Sequence, residues 1–373
     1  MPIALLTTFL SPYRTPLFHA LAERHEVEVL CYGGGERYVP PWFADLDAQL
    51  RAAPFPARRL RGLPEALDLG RRYHAVIAPF AGGVLLPAAY AGARRHGRAF
   101  VLWASVWSQP RSLAHALALP ATRHIYRHAD AVVAYGEHVK RFVAQVRGRE
   151  SDVFVAPQAV EHELFGRSVS DEEIAGFRER YALGTGPLVV YVGRLVREKG
   201  AAVMVEAWPH VGGEATLVVV GDGPLREALQ ALAHVRVLGA LERAELPAAY
   251  ASAELALVPS IPTPRFREPW GLVCNEAMHQ GRPVIASASV GAVAGGLVHH
   301  QRTGWVVEPG SAGALAGAID RLLGEPALRA QLGARAREAV AHHTYDAMLE
   351  AFDRALAAAY APREESASRS WRE

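Results

Sequence analysis

Short apolar runs alternate with amphipathic stretches along almost the whole chain, and the pattern is repeated in two halves. In the first half the strand-like runs are Ile3–Thr7, Val27–Cys31, Ala75–Ala78, Ala99–Trp103, Ala131–Ala134 and Val153–Ala156. Helix-like stretches such as Thr15–Arg24, Val84–His96, Ser112–His128 and Glu137–Arg147 lie between them. In the second half the runs are Leu188–Val192, Thr216–Val220, Val235–Leu238, Leu255–Val258, Pro283–Ala286 and Trp305–Val307. A run that is apolar at successive positions needs cover on both faces, which a parallel sheet between helices provides. The pattern predicts an α/β protein of two Rossmann-like domains, 1–165 and 171–344. Ligands would then bind at the carboxyl ends of the strands, in the cleft between the domains. After Pro326 the chain reads as helix only, ending with Tyr345–Tyr360. The polar tail 362–373 has little to bury and is expected to be disordered.

Charge and cysteine content narrow the function classes. The formal net charge of the 373 residues is only +2, so the total gives no signal for nucleic acid. Its distribution is uneven: residues 1–165 carry 19 Lys+Arg against 14 Asp+Glu, and Arg51, Arg58, Arg59, Arg61, Arg71 and Arg72 crowd one stretch. That stretch suits a solvated face, an anionic acceptor or peripheral contact with an anionic membrane surface. Cys31 and Cys274 stand far apart without disulfide or metal-ligand spacing, which points to a reducing, cytoplasmic setting. The N-terminus lacks a basic n-region and reads as a first strand. No run reaches the roughly 18 apolar residues of a membrane span.

Two constellations carry the chemistry. Gly193–Gly200 reads G-R-L-V-R-E-K-G between a strand-like and a helix-like run, and Lys199 is one of only two lysines, with Lys140. Such a glycine turn lets backbone approach a ligand, the helix start adds a positive field, and Arg194 and Lys199 suit phosphate oxygens. Glu268–Glu276 reads E-P-W-G-L-V-C-N-E. Pro269 marks a helix entry, so Glu268 precedes a helix N-terminus and Glu276 lies inside the helix. The amides of Trp270, Gly271, Leu272 and Val273 would then face a ligand. Each segment by itself also has an ordinary reading, a solvated strand-turn-helix or an acidic helix cap.

Taken together, G-R-x-x-x-x-K-G, Pro259-Ser260, E-x7-E and G-x-P-V-I-A-S at Gly281–Ser287 resemble the nucleotide-sugar domain of retaining GT-B glycosyltransferases, most closely glycosyltransferase family four. The similarity extends through Gly221–Pro224 and Thr303–Gly310, and into the first half at Tyr126–Lys140. It implies two Rossmann-like domains facing across a cleft, with the last helix, about 345–361, crossing back to the first domain. It implies Arg194 and Lys199 as the diphosphate pair and Glu268 as a contact of the donor-sugar hydroxyls, these three being the catalytic residues. It implies Glu276 on the ribose, backbone contacts at Gly193 and Trp270 to Val273, and the base near Leu238, Pro259 and Ser260. The donor would be a UDP-sugar or GDP-sugar, the acceptor a hydroxyl held by residues 1–165, and no metal or other cofactor would be required.

The chain also departs from the family pattern. Many members carry a histidine near the reacting sugar, but Leu102–Pro110 contains none. Trp103, Ser105, Trp107 and Gln109 are the candidates to line that space. In the first loop, Phe9–Phe18, Tyr13 and Arg14 would face the cleft. Two other readings stay compatible with the sequence. One is an isomerase of the nucleotide-sugar 2-epimerase kind on the same fold. The other is a non-catalytic nucleotide-sugar-binding subunit, a reading that the missing histidine keeps open.

Overall fold

The computed structural model describes residues 1–33, 45–80, 83–109 and 113–361, so the tail 362–373 lies outside the described residues. Within them, thirteen strands form two parallel sheets. The first contains β1 (Ile3–Thr7), β2 (Val27–Cys31), β3 (Ala57–Arg59), β4 (Ala75–Pro79), β5 (Ala99–Ala104), β6 (Ala131–Ala134) and β7 (Val153–Val155), in the order β3-β2-β1-β4-β5-β6-β7. The second contains β8 (Leu188–Val192), β9 (Thr216–Val220), β10 (Val235–Gly239), β11 (Leu255–Val258), β12 (Val284–Ser287) and β13 (Gly304–Val307), in the order β10-β9-β8-β11-β12-β13. The apolar runs account for twelve of these strands to within a residue. The exception, β3, is a three-residue edge strand with two arginines that pairs only with β2. An edge strand half open to water needs no apolar run, so its sequence carried no signal.

Both faces of each sheet are buried. Ile3, Leu5, Val27 and Val29 join one core, while Ala4, Leu6 and Leu30 join the core on the opposite face. In the second sheet Leu188 and Val190 face one core, Val189 and Tyr191 the other. Each fully buried Leu, Ile or Val contributes about 1.5–3 kcal/mol relative to exposure, which fixes strand register through the alternation of faces. In each sheet the winding reverses beside the first strand, between β1 and β4 and between β8 and β11. Crevices form at the carboxyl ends of such strand pairs.

The helix Tyr345–Tyr360 belongs to the first domain's core although it ends the described chain. The Thr344 side chain caps it, accepting from the Ala347 amide at 3.0 Å. Met348, Leu349, Ala351, Phe352, Ala355 and Leu356 are buried against β5, β6 and β7. The Phe352 ring meets Trp103 edge-on with centroids 5.2 Å apart. This returning helix and the two facing sheets form the GT-B architecture that the resemblance implied.

The Arg-rich stretch is largely paired. Arg58 meets Glu28 at 3.0 Å and Glu65 at 2.7 Å, Arg59 meets Asp47 at 2.5 Å, and Arg71 meets Asp68 at 2.9 Å. Glu28 and Asp47 come from other elements, so local sequence overstated the net positive charge of this face.

The first domain holds the segment 268–270 of the second by its backbone. Trp107 Nε1 donates to the Glu268 carbonyl at 3.1 Å, and His138 Nε2 to the Pro269 carbonyl at 3.0 Å. Burial pushes the His138 imidazole down to about 4, so it is neutral near pH 7, and the carbonyl partner places its one proton on Nε2. Arg141 donates to the Ala294 carbonyl at 3.0 Å, and the Asn275 amide to the Gln158 carbonyl at 2.7 Å.

Two expectations follow. Phe352→Ala should destabilise the first domain by about 3–5 kcal/mol, read by urea denaturation, because it opens a cavity at a fully buried site. The second concerns pH. A folded-state value of about 4 for His138 against an ordinary 6.5 means that the unfolded chain takes up the proton first as pH falls. Stability should therefore decline from about pH 6.5 to about 4, and His279, also held near 4 by burial, should act in the same direction. His138→Gln should make that decline shallower than in the wild type; an unchanged pH profile of the denaturation midpoint would refute the account.

Candidate active site

The turn after β8 is shaped by what its glycines permit. Gly200 has φ +81°, and a Cβ there would lie 2.1 Å from the Pro259 carbonyl oxygen. The turn 193–200 can therefore press against the end of β11 only with glycine at that place. Behind it, a Cβ on Gly221 would lie 1.9 Å from the Gly193 carbonyl oxygen, which ties the Gly221–Pro224 loop to the same stack. The buried phenol of Tyr191, on β8, donates to the Arg194 carbonyl at 2.8 Å and fixes the start of the turn.

This packing delivers Lys199 to Glu268. Lys199 Nζ lies 2.5 Å from Glu268 Oε2, which also accepts from Ser260 Oγ at 3.0 Å. Glu268 is 6% exposed, so its charge is sustained by that cation and hydroxyl. Ser260 is itself anchored, its carbonyl accepting from Ser289 Oγ at 2.7 Å and from Ser287 Oγ. The Lys199 ammonium also stands 5.4 Å from the centre of the Phe266 ring, a cation–π contact.

Eight residues later, Glu276 sits inside the helix Leu272–His279, which Gly271 opens with φ +92°. Glu276 is 1% exposed; Oε2 accepts from the Tyr250 phenol at 2.6 Å, whereas Oε1 has no hydrogen-bond partner. Burial pushes its carboxyl pKa upward, opposed by the Tyr250 and Tyr13 phenols and by Arg243. Tyr13 comes from the first domain. Arg243 covers its ring at 4.6 Å and pairs with Glu161 at 2.9 Å. Burial, then the Glu276 charge, raises the Tyr13 phenol well above its ordinary value, keeping it a donor.

These groups border one cavity of about 320 Å³ at the carboxyl ends of β8 and β11, the size of a small-molecule site. Gly193, Lys199, Ser260, Glu268, Trp270, Gly271, Leu272, Val273 and Glu276 line one side, and Tyr13, Arg14, Tyr135 and Gln158 the other. The first turn of the helix Leu272–His279 forms part of the wall, and the opening amides of a helix have no acceptor within it. The cavity is thus bordered by two cations, two buried carboxylates and a helix start. Among the described residues, no group of three or more His, Cys, Asp or Glu is placed to hold a metal ion, and no helix is long and apolar enough to cross a membrane.

Several anticipated residues stand off this cavity. Arg194 lies outside the lining, 3.8 Å from Glu198 and more than a third exposed. Pro259 is buried against Gly200, and Leu238 packs at the edge of the second domain's core. Trp103, expected to line the acceptor side, is 4% exposed. As the fifth residue of β5 it points into the core beside Phe18 and Phe352, and it supports Arg14 from beneath instead. Ser105 and Trp107 also lie outside the lining, Trp107 because its indole holds the Glu268 carbonyl and carries the Arg267 guanidinium at 3.7 Å. Tyr135, Gln158 and Tyr191 in the lining, and Tyr250 and Arg243 behind it, were not anticipated. Of these, Tyr135 lies in Tyr126–Lys140, the first-half segment that carries the resemblance.

Comparison with known proteins agrees with this geometry. Residues 175–339 match the family model described as glycosyl transferases group 1. A GDP-mannose-dependent alpha-(1-6)-phosphatidylinositol monomannoside mannosyltransferase of Mycolicibacterium smegmatis is 31% identical over 306 residues, covering 76% of this chain and 75% of that protein. Its namesake in Mycobacterium tuberculosis is 33% identical over 240 residues, covering 59% of this chain and 60% of its own length. The alpha-D-kanosaminyltransferase of Streptomyces kanamyceticus is 29% identical, and the match spans 58% of this chain and 57% of that protein. The chain thus spans somewhat under two thirds of several curated relatives it matches. Among solved structures, Anabaena HepE in complex with UDP superposes with a TM-score of 0.80 at 20% identity, covering 96% of this chain and all of that one. A sucrose-phosphate synthase from Thermosynechococcus elongatus does so with a TM-score of 0.71 at 23% identity, covering 96% and 98%. By sequence, the chain belongs to the family of glycosyl transferases group 1.

Proposed function

We propose that this protein is a retaining glycosyltransferase that moves a sugar from a nucleoside-diphosphate sugar to a hydroxyl acceptor without a metal ion. The observation that carries this reading is the Lys199–Glu268–Ser260 cluster beside a helix start, at the crevice between β8 and β11. The donor lies in the second domain. Glu276 Oε1, buried and without a partner, accepts from a ribose hydroxyl. Lys199, with Arg194 of the same turn and the first amides of the helix Leu272–His279, draws the diphosphate oxygens. Glu268 accepts from a hydroxyl of the sugar, and its shared contact with Lys199 ties sugar position to phosphate position.

The reaction breaks the bond between the sugar's anomeric carbon and the diphosphate oxygen, which leaves with the electron pair. Fixed positive charge stabilises the oxygen that becomes anionic, and such preorganised electrostatics is the main catalytic contribution. The acceptor hydroxyl, presented by residues 1–165, attacks on the face the diphosphate leaves and gives its proton to a phosphate oxygen, so configuration is retained. Glu268 Oε2 is engaged by Lys199 and Ser260, which makes it a weak nucleophile and favours attack without a covalent enzyme intermediate. The mannosyltransferase relatives are GDP-mannose-dependent, and the HepE structure is a complex with UDP, so both bases are candidates for the donor.

A thermal-shift comparison of UDP-sugars and GDP-sugars tests the donor, since a ligand that binds only the folded state raises Tm with its concentration over Kd. Lys199→Ala should lower kcat on the order of 10²–10³-fold with unchanged circular dichroism, as for removal of one oxyanion contact. Glu276→Ala should weaken donor binding instead. Wild-type kcat in Lys199→Ala, or wild-type donor affinity in Glu276→Ala, would sink the assignment.

A further inference from the structure

The first-domain wall of the cavity holds a cation that the reaction described above does not use. We propose that Arg14 binds an anionic oxygen group of the substrates and that the donor's diphosphate supplies it. The leaving group is then gripped from both domains. This rests on the donor reading of the same cleft.

Arg14 is held in place before any ligand is considered. Its amide closes a turn onto the Ser11 carbonyl at 2.8 Å, and the Tyr345 phenol of the returning helix holds the Tyr13 carbonyl at 3.2 Å. The guanidinium lies 4.9 Å from the centre of the Trp103 ring and 5.1 Å from that of Tyr135. One terminal nitrogen, Nη2, donates to Gln158 Oε1 at 2.6 Å. Gln158 is fully buried, and its own amide is fixed on the Ala156 carbonyl at 2.9 Å. The other terminal nitrogen, Nη1, is buried without a hydrogen-bond partner. Among the described residues no carboxylate lies within ion-pair distance, so every group in contact with this charge is neutral.

A partly buried guanidinium recovers only part of its lost hydration from aromatic faces and one amide oxygen. An anion restores the rest, and the planar fork suits two phosphate oxygens. Arg14 opens onto the same cavity as Lys199 and the helix start at Leu272, which already draw anionic oxygens there. A cavity of about 320 Å³ lets one diphosphate reach both walls.

The test is calorimetric titration of wild type, Arg14→Gln and Arg14→Lys with UDP, GDP, uridine and guanosine. Wild type should bind one diphosphate at least tenfold more tightly than its nucleoside. Arg14→Gln should lose at least tenfold in that diphosphate affinity and keep the nucleoside affinity, which also reports that the variant is folded; Arg14→Lys should recover part of the loss. Wild-type diphosphate affinity in Arg14→Gln overturns the assignment, and a raised KM for acceptor alone would then move the anion to the acceptor. Equal loss for nucleoside and diphosphate also overturns it, by showing a merely structural effect. Binding of neither diphosphate by wild type overturns the proposed function itself.

Discussion

A carboxylate taken out of water costs several kcal/mol unless a cation and hydrogen bonds meet it, and Glu268 is such a group. Meeting it requires the turn after β8 to bring Lys199, and the end of β11 to bring Ser260. That meeting requires Gly200 to pack on Pro259, where any side chain would collide with backbone. The turn that carries Lys199 and the stretch from Ser260 to Glu268, distant from it in sequence, are therefore fixed against each other. The backbone of Glu268 and Pro269 is held from behind, where Trp107 and His138 of the first domain donate to their carbonyls. The site and the domain interface are two sides of one short stretch of chain.

That economy has consequences for how the cleft works. The backbone that carries the Glu268 carboxylate is held directly by side chains of the first domain. The aromatic floor under Arg14 joins the returning helix, since Trp103 packs on both the guanidinium and Phe352. The helix Tyr345–Tyr360 thus reaches the cleft twice, through Trp103 and through the Tyr345 phenol on the Tyr13 carbonyl. A C-terminal element stabilises the fold and sets the geometry of the first loop at once.

Legibility in the sequence followed burial. Runs such as Leu188–Val192 and Ala131–Ala134 are covered on both faces, so their apolar character had no alternative and their limits were readable to the residue. Ala57–Arg59, at an edge, bears arginines that find Glu28 and Asp47 only after folding, and it was unreadable. The motif residues Lys199, Glu268 and Glu276 were readable because spacing around glycine and proline placed them on particular turns and helix starts. Trp103 was misplaced because the end of a strand suggests a cleft, whereas pleat alternation turned its side chain to the core.

Periodicity indicated two parallel sheets with a cleft at their carboxyl ends, and the family resemblance singled out a lysine and two glutamates on one side of it. These depend on neighbours within one strand-turn-helix unit, where covalent distance limits the choices. Folding decided what faces that cluster. Tyr13 and Arg14 of the first loop were expected there, but Tyr135 and Gln158 come from two further loops of the other domain, and Tyr250 and Arg243 from behind the site. Which of them meet is set by how two cores pack across an interface, and no local spacing encodes that packing.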